Sequence, residues 1–281
     1  SHYGWTPVLL STLVSMGVTP DFAIYHRYEQ APGQENDATL LQAAATWKDD
    51  AANLRMMLND YLGQAGASVE LVCTENNSVY TNPGKQSTSI VNGLYLADST
   101  GELMQTEFNS LVWWDLHNGR LFNDNNSPSL YGWRQYGDYG IMAPNNKSPY
   151  PTYYVKTLLS HFASGGDQVV TASSDNTLLA AYSVLGADGT LRLMVINKSP
   201  KATTTANIQL TGFNATGTAT LFSYGIPQDN AAKNHKGSPD VAETSVSNVS
   251  SNFSYKFKPY SVSVLVLSQS GGTDSVRAAL H

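Results

Sequence analysis

The sequence predicts an α/β segment followed by an all-β segment, and three observations support this. Between residues 5 and 163, helical patterns alternate with short apolar strands, and each strand runs into a polar, turn-rich loop. From Gly165-Gly166-Asp167 onward the helical period gives way to short alternating strands split by turns. Helix alternating with strand implies a parallel sheet with right-handed crossovers. The later spacing implies an antiparallel β-sandwich. The expected division is therefore 1–164 for the α/β part and 165–270 for the sandwich, with 271–281 as a tail or tag remnant, like Ser1-His2 at the other end.

Pro7 to Met16 has a helical apolar pattern (Val8, Leu9, Leu13, Val14) stopped by Gly17. Asp21 to His26 is a short strand, followed by a polar loop with turn chemistry at Pro32-Gly33. Leu40, Leu41, Ala44, Trp47, Ala51, Leu54, Leu58 and Tyr61 recur at three-and-four spacing and predict one helix over 37–61. Val69 to Thr74 is the next strand; a helix over 87–96, a strand over 110–114 and a helix over 152–162 complete the first part. Strands are expected at 178–184, 191–197, 206–210, 219–224, 253–257 and 262–267, with Gly225 to Ser251 as a long loop. Three parallel strands with these helices cannot bury both faces of a sheet.

At 281 residues with 41% hydrophobic content, the chain can bury a sizeable core. Charged residues are 14% and the net charge is -6, without a Lys/Arg cluster, so nucleic acid and anionic membranes are not expected partners. Abundant Tyr, Trp, Asn and Ser suit a secreted or periplasmic protein handling hydroxyl-rich ligands. The lone Cys73 excludes an intramolecular disulfide, and the six histidines lack zinc-site pairing, so neither metal nor cofactor is expected. No apolar run approaches membrane-spanning length.

The strand Val69-Glu-Leu-Val-Cys-Thr74 has the apolar run of a parallel strand covered on both faces, and it delivers Glu75 into a polar stretch, Asn76-Asn77-Ser78. A carboxylate there either caps the following turn or performs chemistry. Its neighbours favour chemistry. Asp21-Phe-Ala-Ile-Tyr-His-Arg-Tyr28, Glu70-Leu-Val-Cys-Thr-Glu-Asn-Asn77 and Leu111-Val-Trp-Trp-Asp115, taken in order, resemble the sixth, seventh and eighth strands of a TIM (β/α)8 barrel in a clan A retaining glycoside hydrolase. Families 51, 39, 30 and 79 are the nearest by this resemblance. Leu193-Met-Val-Ile-Asn-Lys198 and Phe257-Lys-Pro-Tyr-Ser-Val-Ser-Val-Leu265 resemble strands of the β-sandwich appended to such barrels.

The resemblance implies the C-terminal portion of a glycosidase acting on plant-wall-type poly- or oligosaccharide, as an arabinofuranosidase, xylosidase or β-glucanase would. Glu75 is then the nucleophile, with Tyr25, His26, Tyr28, Asn76, Tyr80, Trp114 and His117 as substrate-binding candidates. Trp113 and Trp114 fall on opposite faces of a regular strand, and Trp114, at the strand end, is the one assigned to the sugar. Retaining hydrolysis needs a second carboxyl about 5 Å away. The Asn-Glu-Pro expected near the fourth strand is absent, so the resemblance implies that an N-terminal half, as a second polypeptide or missing segment, supplies the acid/base glutamate. Glu29 and Asp115 are the alternatives within the chain. A different class of function, non-catalytic carbohydrate binding by Trp and Tyr stacking, uses the same residues.

Overall fold

The computed structural model describes residues 4–123, 125–145, 147–269 and 276–281. Ser1, His2 and residues 271–275 of the expected tail lie outside the described residues.

Three strands, β1 (Phe22–Gln30), β2 (Glu70–Val79) and β3 (Phe108–Trp113), form a parallel sheet in that order. Helix α1 (Trp5–Ser15) precedes it, α2 (Asp37–Ala43) and α3 (Trp47–Leu62) connect β1 to β2, and α4 (Ile90–Leu103) connects β2 to β3. Helix α5 (Pro151–Leu159) follows β3 after a long connection. The single helix expected over 37–61 is interrupted by a 3-10 turn at 44–46. The cause is local: the Ala43 carbonyl accepts from the Arg27 guanidinium at 2.7 Å and from the Thr46 hydroxyl at 3.0 Å.

One face of this sheet packs on α1 and α3 through Leu71, Cys73 and Phe108 against Trp47, Leu54 and Leu58. On the other face Phe22, Ile24, Val112 and Trp114 are exposed. Strands β1 and β2 both outrun their expected ends, because Arg27, Tyr28 and Gln30 pair with Asn76, Asn77 and Val79. Asn76, Asn77 and Ser78 belong to a strand despite their polarity because each is buried and hydrogen-bonded. Between Tyr25 and His26 the register slips by one, so that Tyr25 faces Cys73 while His26 faces Glu75, and Thr74 is the extra residue.

The remaining strands are β4 (Gln168–Ser174), β5 (Leu179–Leu185), β6 (Leu191–Asn197), β7 (Thr204–Thr211), β8 (Thr218–Gly225), β9 (Ala242–Ser247), β10 (Asn252–Phe257), β11 (Ser261–Leu267) and β12 (Arg277–Leu280). They join in one sheet of nine, ordered β10-β7-β12-β4-β5-β6-β11-β8-β9. The turn from β5 to β6 uses Gly189 at φ 78°, a backbone conformation that favours glycine. Ala181, Leu193, Val195 and Leu265 share one core with Ile208, Leu210, Ala278 and Leu280, so the sheet curls over and covers itself. Alternate residues Tyr182, Val184, Met194, Ile196 and Val264 face the opposite way and pack on α4 and α5. At that junction Lys198 Nζ lies 2.7 Å from Asp98, both buried, and the Tyr182 hydroxyl donates to Asp98 at 2.8 Å and to Glu102 at 3.0 Å.

Two expectations need correction. The loop expected over 225–251 contains helix α6 (Ile226–Asn234) and strand β9, whose largely polar sequences give no apolar period. Residues 276–281, expected to trail outside the fold, supply β12, seated between β7 and β4 with Ala278 and Leu280 buried. Four residues are too few to display a strand period. Among the described residues no helix is long and apolar enough to cross a membrane, and no group of three or more His, Cys, Asp or Glu is placed to hold a metal ion.

Candidate active site

The extra residue in β2 decides which way Glu75 points. Val69, Leu71 and Cys73 face the α3 core, and regular alternation would send residue 75 after them. With Thr74 absorbed in the bulge, Glu75 pairs with His26 and projects from the open face. Its side chain is 26% exposed and that of His26 47%.

The Tyr28 hydroxyl donates to Glu75 Oε2 at 2.7 Å, and His26 Nδ1 lies 3.4 Å from the same oxygen. Thr74 Oγ1 holds the far nitrogen of His26 at 2.9 Å, which fixes the ring. The Tyr28 hydroxyl is pushed well above the usual phenol range, first by burial and then by its hydrogen bond to the Glu75 carboxylate. It is therefore a donor at every physiological pH. The edge of Tyr28 meets Tyr139, ring centroids 6.5 Å apart, and the Tyr139 hydroxyl donates to the Val79 carbonyl at 3.1 Å.

Behind this face Arg27 anchors β1. Its guanidinium reaches Asp50 at 2.9 Å, pairs with Glu29 and lies 4.4 Å over the Trp47 ring. Glu29 thus serves an internal ion pair and also accepts from Tyr95 Oη at 3.1 Å, which occupies it away from the open face. Asp115 differs: burial and then repulsion from Asp138 raise its carboxyl pKa, against an opposing hydrogen bond from Asn118, and its charge acts on Tyr28.

Trp114 is 39% exposed at the end of β3, whereas Trp113 is 5% exposed and packs against Tyr95 at 6.1 Å. Two contacts place Trp114: its N–H donates to the Asn76 carbonyl at 3.1 Å, and its carbonyl accepts from Asn77 Nδ2. The peptide between Trp114 and Asp115 is cis.

Glu75, His26, Tyr28 and Trp114 therefore come together on one side of the sheet. Tyr25 does not join them. It faces α3 between Trp47 and Phe108, and its hydroxyl is raised by burial and by Asp50. Alternation along β1 puts it opposite His26. Asn76, expected beside the carboxylate, is wholly buried, its amide donating to the Arg27 carbonyl at 3.1 Å and to Tyr95 Oη at 2.9 Å. Tyr80 and His117 are exposed on the loops that follow β2 and β3. Thr74 and Tyr139 were not foreseen. A β-bulge leaves no mark in the residue pattern, and Tyr139 lies in a Gly- and Tyr-rich connection without periodicity.

No protein-family model matches this sequence, and no curated protein matches it. Solved structures do match its fold. CelM2, a bifunctional glucanase-xylanase from a metagenome library, superposes with a TM-score of 0.62 at 19% identity over 95% of this chain and 48% of its own. The thermostable GH51 α-L-arabinofuranosidase from Thermotoga petrophila RKU-1 gives 0.65 at 14% identity, covering 92% of this chain and 55% of its own. A Paenibacillus polymyxa xyloglucanase from Glycoside Hydrolase Family 44 gives 0.62 at 15% identity, covering 94% and 51%. The chain thus has a glycoside-hydrolase fold and spans about half the length of the structures it matches. Family 51 is one of those its strands resemble; family 44 was not among them.

Proposed function

We propose that this chain is the C-terminal portion of a retaining glycoside hydrolase of clan A, with Glu75 as the nucleophile. In this reading β1, β2 and β3 are strands six to eight of a (β/α)8 barrel. The curled nine-stranded sheet is its appended β-sandwich. The observation that supports it best is the Glu75 carboxylate on the open sheet face, held by Tyr28 and His26 beside the exposed Trp114.

The chemistry follows from those positions. A Glu75 oxygen forms a bond to the anomeric carbon as the glycosidic C–O bond breaks, and the leaving oxygen takes a proton from a second carboxyl. Water then attacks the same carbon, giving its proton to that second group, and Glu75 leaves as carboxylate. Tyr28 and His26 present donors to the carboxylate oxygen in both states, and Trp114 offers an indole face to the apolar side of a sugar ring. The acid/base glutamate comes from an N-terminal half outside these 281 residues, which also closes the exposed face bearing Phe22, Ile24 and Val112. The substrate class is plant-wall-type arabinoside, xyloside or β-glucan, in a secreted or periplasmic setting.

The test is covalent trapping. The full-length protein is incubated with 2-deoxy-2-fluoro glycosides of arabinose, xylose and glucose, then digested and mapped by mass. An adduct on the peptide containing Glu75, absent in Glu75→Gln, is the expected result. Saccharide binding without any adduct or turnover would support the non-catalytic carbohydrate-binding reading instead.

A further inference from the structure

A second groove, of about 470 Å3, opens between the connection that follows β3 and the C-terminal end of α6. It shares no lining residue with the Glu75 site. Its walls combine two chemistries, aromatic rings and cations. Trp133, Tyr136 and Tyr150 line it, together with Arg120, Lys147 and Lys233.

The cations are of two kinds. Arg134 also reaches the groove, but it is buried, bonded to Asp229 at 2.9 Å and to the Thr88 carbonyl at 3.0 Å, with its guanidinium 4.0 Å over the Trp133 ring. Its charge is neutralised, and its role is to hold Trp133. Arg120, Lys147 and Lys233 are exposed, and none has a carboxylate within ion-pair distance among the described residues. The Arg120 guanidinium rests 4.8 Å over the Tyr136 ring, so its charge is held at the aromatic wall instead of waving in solvent. The nearest acid, Asp138, is buried and already accepts from the Tyr150 hydroxyl at 3.1 Å and from the Gly119 and Gly140 N–H groups.

This is an unexpected place for positive charge. The chain has 22 acidic and 16 basic residues, yet no Asp or Glu lines the groove. Rings that pack on the CH face of a sugar, set beside a guanidinium that donates two parallel hydrogen bonds to a carboxylate, match a pyranose bearing an acid group. We propose that the groove is an accessory site for an anionic saccharide, a uronic-acid residue of a polysaccharide chain, distinct from the Glu75 site and independent of its chemistry. Arg120, seated on the Tyr136 ring, pairs with the carboxylate, Trp133 packs on the sugar ring, and Lys147 and Lys233 supply the surrounding field.

Isothermal titration of the full-length protein with trigalacturonic acid and with xylotriose tests this. The expected result is saturable binding of trigalacturonic acid that weakens with added salt, is unchanged in Glu75→Gln, and falls at least tenfold in Arg120→Ala. Lys233→Ala, at an exposed position, gives a smaller loss and guards against a folding artefact in the first variant. Xylotriose binding is unaffected by either change. Trigalacturonic acid that fails to bind, binds Arg120→Ala as well as the parent, or loses binding only in Trp114→Ala would overturn the assignment.

Discussion

Tyr28 and Glu75, on adjacent parallel strands, share a hydrogen bond of 2.7 Å that no third residue is needed to complete. Tyr28→Phe keeps the ring and its edge contact with Tyr139 while deleting the donor. Turnover of an aryl glycoside by the full-length protein should fall about tenfold to a hundredfold, because a hydrogen bond to a charged group is lost at the reacting oxygen. KM and thermal midpoint should change little. An unaltered kcat would remove Tyr28 from the mechanism.

The same pair makes a prediction about protons. Burial and the neighbouring carboxylate both hold the Tyr28 hydroxyl above the usual phenol range. Neutralising that neighbour in Glu75→Gln removes its share of the shift while burial and the Asp115 charge remain, so the phenolate becomes less costly and Tyr28 titrates at a lower pH, still above an exposed tyrosine. Carbon-13 NMR of ring-labelled tyrosine follows the shift. A titration that stays put in Glu75→Gln would separate the two groups.

Trp113 and Trp114 should respond oppositely to truncation. Trp113→Ala empties a buried site against Tyr95 and should cost about 3–5 kcal/mol of stability in urea denaturation. Trp114→Ala touches an exposed ring, so stability should hold within about 0.5 kcal/mol while KM for saccharide rises about tenfold. If Trp114→Ala leaves KM unchanged, its assignment to the sugar fails.

The buried pair of Lys198 and Asp98 ties the nine-stranded sheet to α4. Lys198→Ala leaves Asp98 charged and buried without its cation, a change worth about 3–5 kcal/mol in denaturant titration. Double substitution of Asp98 and Lys198 by apolar residues should recover most of it, since the desolvation penalty disappears with both charges.

Glu102, at the same junction, sets a pH dependence. Burial raises its carboxyl pKa above the ordinary range, against an opposing hydrogen bond from Tyr182. The native state therefore holds a proton that the unfolded chain has released, and stability declines as pH rises through that interval. Glu102→Gln should flatten the decline: close to the parent near about pH 4, and relatively more stable near about pH 7. Parallel stability curves for the two proteins would contradict this.

The sequence showed what apolar patterning can show. The α/β alternation, the change of pattern at Gly165 and most strands of the second sheet were legible, since each places several hydrophobic residues at a helical or strand period. What patterning missed has physical causes. Asn76, Asn77 and Ser78 look like a loop, and they form a strand only because Tyr95, Trp114 and Asn92, all far along the chain, satisfy them. The face on which Tyr25 lies, and hence its absence from the site, follows from alternation once the strand is known. The largely polar α6 and β9 have no apolar stripe to detect, and β12 is too short to have one.

The slip at Thr74 means that chemistry on β2 rests on a count of residues as much as on their kinds. Inserting one residue into β1 between Tyr25 and His26 would give Thr74 a partner and restore strict alternation along β2 from Val69 onward. The carboxylate would then be driven in among Cys73, Leu71 and the α3 indole, while Asn76 would be turned outward. A single-codon insertion on β1, with every side chain of β2 unchanged, would thus invert the far half of β2, converting a reactive surface into a buried, unpaired charge.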